Sequence, residues 1–253
     1  MEMQYFKEYS PALGREMECK IYGHGGRPML YIPCQDGRFF DFEDFHMADT
    51  LAPWIESGQI MVLSIDTLDK ETWSDTNGDP YWRIRRYEQW LRYIVDEAVP
   101  KLRYLSKERN GWDDLPGVIA FGCSLGATHA VNLYLRRPDI FCGCLALSGI
   151  YTAHYGFGDY MDELVYLNSP VDYMRNFPQV HPDGDVLCLD VCSSDLRLML
   201  TESMLRLLQK KDLDLPEVER VFLHRQYALP DVSQFQSVLQ FSVKSFLPCN
   251  IRP

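Results

Sequence analysis

The 253 residues are 46% hydrophobic and 13% aromatic, which fits one large domain or two small ones, with ample apolar surface for a packed core. Lys and Arg number 25 against 36 Asp and Glu, and the resulting formal charge of −11 repels a phosphate backbone and argues against nucleic acid as a partner. The N-terminus lacks the apolar core of a signal peptide and no apolar run reaches the length of a membrane span, so a cytoplasmic protein with no membrane partner is expected.

Residues 16–22 and 29–33 read as two early strands, with Gly23 to Pro28 as the turn between them. No crossover helix separates the two, which predicts an antiparallel edge. A buried strand follows at 60–65. Residues 81–105 place Ile84, Tyr87, Leu91, Ile94, Val95 and Ala98 on one stripe of a long amphipathic helix that Pro100 interrupts. The densest basic group, Arg83, Arg85 and Arg86, lies in this stretch and is flanked by acidic residues. Then come a strand at 117–121, a helix at 125–136 and a strand at 141–147, on which Cys142 and Cys144 would share one face. The eight cysteines are scattered, so buried reduced thiols are expected rather than a disulfide framework. Residues 155–180 are aromatic and irregular, with short helical pieces. A strand at 186–191, a helix at 196–211, a strand at 218–223 and a helix at 231–246 complete the pattern. Strands alternating with helices predict an α/β fold: a mostly parallel sheet of about eight strands with helices on both faces, in a single domain spanning 1–253.

The run Gly122-Cys123-Ser124-Leu125-Gly126 matches G-x-S-x-G. A bare match is weak, but here an apolar strand precedes it and a helix follows. A sharp strand–helix turn puts the serine at a strained backbone position, and the flanking glycines let strand and helix approach closely. The helix N-terminus then aims amides and the positive end of its dipole at a developing oxyanion. Ser124 is therefore the expected nucleophile, and the strand order suits an α/β-hydrolase. Cys123 is expected to point away from the mouth of the sheet and pack. Ser148 either lines the pocket or closes a strand-end turn. One oxyanion amide should come from Leu125 and the second from Gln35 or Asp36, in the loop after strand 29–33. His24-Gly25-Gly26 looks like a lipase oxyanion motif, but it precedes that strand and reads as a hairpin turn.

Gly122-Cys123-Ser124-Leu125-Gly126-Ala127, Arg136-Arg137-Pro138-Asp139-Ile140-Phe141 and Leu145-Ala146-Leu147-Ser148-Gly149 resemble the “Putative esterase” family. That family includes esterase D-like S-formylglutathione hydrolases, feruloyl esterases and mycolyltransferases. The likeness extends to Gly37-Arg38-Phe39-Phe40-Asp41-Phe42-Glu43-Asp44, Gly158-Asp159-Tyr160-Met161 and Asn168-Ser169-Pro170-Val171-Asp172-Tyr173, and it runs from the N-terminus to about Asp185. It implies a Ser-His-Asp/Glu triad and carboxylic-ester hydrolysis without a metal.

The family's acid after the seventh strand and histidine after the eighth, in a His-Asp-Trp-like context, have no recognisable counterpart. Chain order offers Asp195 or Asp190 as the acid and His224 as the base. Asp190-Val191-Cys192-Ser193-Ser194-Asp195-Leu196 is also a peptide encoded by one reading frame of a common sequencing adapter, so residues 190–253 are expected to be non-native in sequence. His129, one turn past Ser124, is expected to pack or face solvent. No metal or cofactor motif is present, so no cofactor is expected. Residues 151–182 read as a lid or pocket insertion, with His154 and Tyr151 as candidates for substrate contact. The expected partner is a small-molecule ester, with a homo-oligomer left open. The leading reading is a serine esterase; the alternatives are an acyltransferase using the same acyl-enzyme, or a non-catalytic hydrolase-fold protein.

Overall fold

In the computed structural model, residues 1–174, residue 176 and residues 186–190 are described below. Strands β1 (Met3–Ser10), β2 (Arg15–Tyr22), β3 (Arg27–Ile32), β4 (Ile60–Ile65), β5 (Val118–Cys123), β6 (Phe141–Leu147) and β7 (Val186–Asp190) form one sheet in the order β1-β2-β4-β3-β5-β6-β7. Pairing is parallel from β4 through β3, β5 and β6 to β7, and antiparallel at β2–β4 and β1–β2. The expected strand at 218–223 and the helices at 196–211 and 231–246 lie outside the described residues.

The antiparallel edge exists, but its partners are not the expected ones. Residues 27–32 sit between β4 and β5 in the middle of the sheet, and β2 pairs with β1 along its whole length, Met3 opposite Tyr22 and Ser10 opposite Arg15. The true hairpin closes at Gly14, whose amide bonds the Ser10 carbonyl at 2.8 Å. Gly23 to Gly26 is no hairpin turn, because β4 lies between the two strands it joins. β1 hides its pattern because it is an edge strand exposed on both faces, so burial never sorts its side chains into an inner and an outer set.

Helices cover both faces of the sheet. On one side α3 (Pro80–Tyr93), α4 (Val99–Asn110) and α5 (Leu125–Arg136) pack on Leu30, Ile32, Met61, Leu63, Ala120 and Ala146. On the other, Phe42 of α1 (Asp41–Asp44) and Leu51 and Ile55 of α2 (Met47–Glu56) meet Met29, Tyr31, Val62 and Phe121. Alternate residues of β3, β4 and β5 serve opposite cores, as a pleated strand requires.

The expected long helix divides. Asp79 caps α3 by accepting the Tyr81 amide at 2.9 Å, with Pro80 in the first turn, and the stripe Ile84, Tyr87, Leu91, Ile94 and Ala98 is buried. Residues Ile94–Ala98 then widen into a π-turn before Pro100. Proline has no amide hydrogen and crowds the carbonyl four residues earlier, so the extra residue in the turn absorbs the misfit. On β6 the register slips: Val118 faces Phe141 while Ile119 faces Gly143. The bulge turns Cys142 into the second core and leaves Cys144 in the first, so the two cysteines lie on opposite faces, contrary to the alternation expected. No helix among the described residues is long and apolar enough to cross a membrane.

Candidate active site

β5 ends in a turn that only particular residues permit. Ser124 adopts φ 58° and ψ −122°, a region costly for any residue with a β-carbon. Its amide is held by the Leu147 carbonyl at 2.9 Å, which locks the turn to the end of β6. A β-carbon on Gly122 would lie 2.6 Å from the Gly126 carbonyl, and one on Gly126 would lie 2.3 Å from the carbonyl oxygens of both Ile32 and Pro33. The two glycines therefore let the first turn of α5 rest directly on the end of β3. From Leu125 to Leu135 every residue of α5 is buried, so the helix that begins at Leu125 is fixed in the core. Thr128 extends the lock, its hydroxyl accepting the amides of Ile150 at 3.0 Å and Tyr151 at 3.3 Å.

Beyond β3, residues 34–37 form a tight turn closed by the Gly37 amide on the Cys34 carbonyl at 2.9 Å, with Asp36 at φ 61°. The segment after β4 holds this turn from the side. Thr67 donates its amide and hydroxyl to the Gly37 carbonyl, and Asp66 accepts from Arg38 at 2.8 Å and the Phe39 amide at 2.9 Å. Burial pushes the Asp66 carboxyl up, against those hydrogen bonds and the Arg38 charge. The Gln35 side chain donates to Ser74 at 2.8 Å and accepts from the Tyr155 hydroxyl at 2.6 Å. Of the two candidates for the second oxyanion amide, Gln35 and Asp36, that of Asp36 is committed to the Asp69 carboxylate at 3.1 Å. The Gln35 amide has no acceptor among the described residues.

Asp36, Ser124 and Ser148 (φ 54°) are three strained residues that follow three adjacent parallel strands, β3, β5 and β6, so they gather at one edge of the sheet. Tyr151 (φ 55°) joins them, with its side chain wholly buried and its ring over Gly149. Ser148 is also buried, at the strand end. Cys123 points into the second core, as expected of a packing side chain. His154 begins the short helix α6 (His154–Phe157) and is exposed, its Nδ1 bonding the Gly158 carbonyl at 2.8 Å. His24-Gly25-Gly26 lies before β3 at the opposite edge, away from Ser124. His224 and Asp195 fall outside the described residues, and Asp190 closes β7.

His129 packs, the first of the two outcomes expected, but among polar partners: it is 0% exposed, with Nε2 3.2 Å from Asp69 and Nδ1 2.7 Å from the Tyr87 hydroxyl. Periodicity could place it on the inner face of α5, but its partners come from remote segments. Arg83, buried on α3, ties the same region together through the Thr72 carbonyl at 2.7 Å and the Gly156 carbonyl at 2.6 Å.

The family model described as “Putative esterase” matches residues 10–183. No curated protein matches the chain by sequence. Among solved structures, an S-formylglutathione hydrolase from Agrobacterium tumefaciens aligns with a TM-score of 0.73 at 14% identity, over 98% of this chain and 95% of that one. A ferulic acid esterase aligns at 0.69 and 14% identity, over 97% and 98% of the two chains. The fluorophosphonate-binding serine hydrolase F of Staphylococcus aureus aligns at 0.63 and 12% identity, over 97% and 98%. At these identities the likeness is one of fold.

Proposed function

The chain belongs to the “Putative esterase” family, and from that premise we propose that it hydrolyses carboxylic esters through an acyl-enzyme on Ser124. The observation that carries this reading is the cluster of strained residues at the carboxyl edge of β3, β5 and β6, with Ser124 at the N-terminus of a buried helix. Ser124 Oγ attacks the acyl carbon, and the carbonyl electron pair moves onto oxygen. The amides of Leu125 and Gln35 receive that oxyanion, aided by the dipole of α5. Gln35 is preferred over Asp36 because the Asp36 amide is already bound to Asp69. The base takes the Ser124 hydroxyl proton and gives it to the departing alkoxide as collapse expels the alcohol; water, deprotonated by the same base, then attacks the acyl-enzyme to release the acid and return the proton to Ser124. His224 as base and Asp195 as its acid are proposed from chain order alone. His154, exposed on α6, is the substrate contact of this reading; Tyr151 is 0% exposed, so its expected contact with substrate is replaced by a packing role over Gly149. Cys19, Cys34, Cys123, Cys142 and Cys144 are thiols, which supports action in a reducing cytoplasm.

The family match stops at residue 183, which supports reading residues 190–253 as non-native. The test is therefore made on a chain whose source DNA has been resequenced across codons 186–200. A fluorophosphonate probe should label the folded wild type and fail on Ser124→Ala. Folded wild type that resists labelling refutes the esterase reading and favours a non-catalytic protein. New esters formed on adding acceptor alcohols would reassign the reaction to acyl transfer.

A further inference from the structure

Asp69 and His129 form a contact between side chains that are 1% and 0% exposed, and the proposed hydrolysis uses neither directly. Burying a carboxylate is costly unless its oxygens are satisfied, so each partner of this one is informative. Oδ1 lies 3.2 Å from His129 Nε2, and Oδ2 accepts the Asp36 amide at 3.1 Å. Carboxylate oxygens accept, so Nε2 carries the hydrogen, and Nδ1 meets the Tyr87 hydroxyl at 2.7 Å. Trp73, Tyr87 and Trp90 surround the imidazole with ring centroids 5.1 to 5.6 Å away. His129 stands on α5, five residues after Ser124, and Asp36 stands in the turn beyond β3. One carboxylate thus joins the helix behind the nucleophile to the loop that faces it.

The turn explains why such a joint is needed. Residues 34–37 close by the bond from the Gly37 amide to the Cys34 carbonyl, and of the two central residues only Asp36 has positive φ. That is the pattern of a type II turn, which favours Gly or Asn at this position, whereas type I accepts Asp readily. The two types differ by rotation of the central peptide, the one carrying the Asp36 amide. Asp69 grips that amide.

We propose that Asp69, itself oriented by His129, is a positioning residue that anchors the 34–37 turn through the Asp36 amide, and so fixes where that turn carries the Gln35 amide relative to Ser124. This rests on the esterase reading of Ser124. Asp69 touches no reacting atom; it acts through the turn.

The test combines amide exchange with kinetics on a simple aryl ester. In wild type the Asp36 amide exchanges slowly despite its place in a surface loop. In Asp69→Leu it exchanges at least about tenfold faster, and kcat falls toward the ~10²–10³-fold loss of an oxyanion donor while KM changes less than about threefold. Asp69→Asn restores most of kcat, because its carbonyl oxygen still accepts the Asp36 amide and His129 can exchange tautomers against the Tyr87 hydroxyl. A folded Asp69→Leu protein with wild-type kcat overturns the proposal, as does an Asn variant as impaired as Leu. If Asp69→Leu does not fold, wild-type exchange decides: an Asp36 amide as labile as an open-loop amide overturns it. Slow Asp36 exchange in a wild type that neither labels nor hydrolyses refutes the esterase reading while leaving the grip on the turn standing.

Discussion

Gly126→Ala tests how far the proposed site depends on close backbone approach. Alanine improves helix propensity by about 1 kcal/mol, so a surface position on α5 would gain stability. Here the new methyl would lie 2.3 Å from the carbonyl oxygens of Ile32 and Pro33, whereas ordinary contact begins near 3.4 Å. Relief requires helix and strand end to part by about 1 Å, and overpacking of this kind costs about 1–3 kcal/mol. The net effect on stability is then a loss of about 0–2 kcal/mol. Activity should suffer more, because Pro33 is the root of the loop bearing Gln35, and a displacement near 1 Å can cost about 10²-fold. Urea denaturation followed by ester kinetics on the same preparation separates the two effects. A variant at least as stable as wild type with undiminished kcat would refute the reasoning, since it would mean the helix and β3 have room to spare.

Ser124→Gly should abolish labelling yet raise stability by about 0.5–1 kcal/mol, because glycine adopts φ 58° and ψ −122° without strain; a lower melting temperature than wild type would contradict that. Asn168→Ala should cost about 2–3 kcal/mol in urea unfolding. The Asn168 side chain is fully buried and bonds Glu88, Leu164, Asn132 and Arg136, joining α3 and α5 to the segment after β6; a loss under about 0.5 kcal/mol would rule out that role. Burial pushes the Glu71 carboxyl up, but hydrogen bonds from Arg86 and Arg15 outweigh it and hold it below the usual glutamate range. A lowered folded value means that the unfolded chain binds the proton more readily. The stability it contributes is therefore present above the ordinary glutamate range and drains away as pH falls through the lowered value. Glu71 is 41% exposed, so Glu71→Gln should cost under about 1 kcal/mol at neutral pH and nothing in strong acid; a difference independent of pH would sink this account.

The strands β3 to β6 and the elbow were legible because their signals are local: short apolar runs, a glycine two residues either side of Ser124, and a helix after it. β1 was not, because exposure on both faces leaves no alternation to read. Residues 47–56 likewise went unread as a helix, with Pro53 inside and a left-handed His46 before it. The bulge at Cys142 depends on pairing with β5, a contact between remote segments. The loop proposed to carry the second oxyanion amide was read from its place after β3, but the preference for Gln35 over Asp36 turned on Asp69, over thirty residues away in sequence. His129 acquires meaning only once Asp69 and Tyr87 stand beside it.

The sheet order also governs how the chain can fold while it is being made. β3 is buried at five of its six positions, yet both its neighbours come later: Leu30 pairs with Leu63 and Ala120, 33 and 90 residues downstream. At about 5–20 residues per second, translation takes about 5–18 s to supply the second partner. During that interval an apolar strand has one open side or two, which is the condition for association between nascent chains. Chains truncated before β5 should carry this liability permanently, and completion of β5 is the point in synthesis at which it ends.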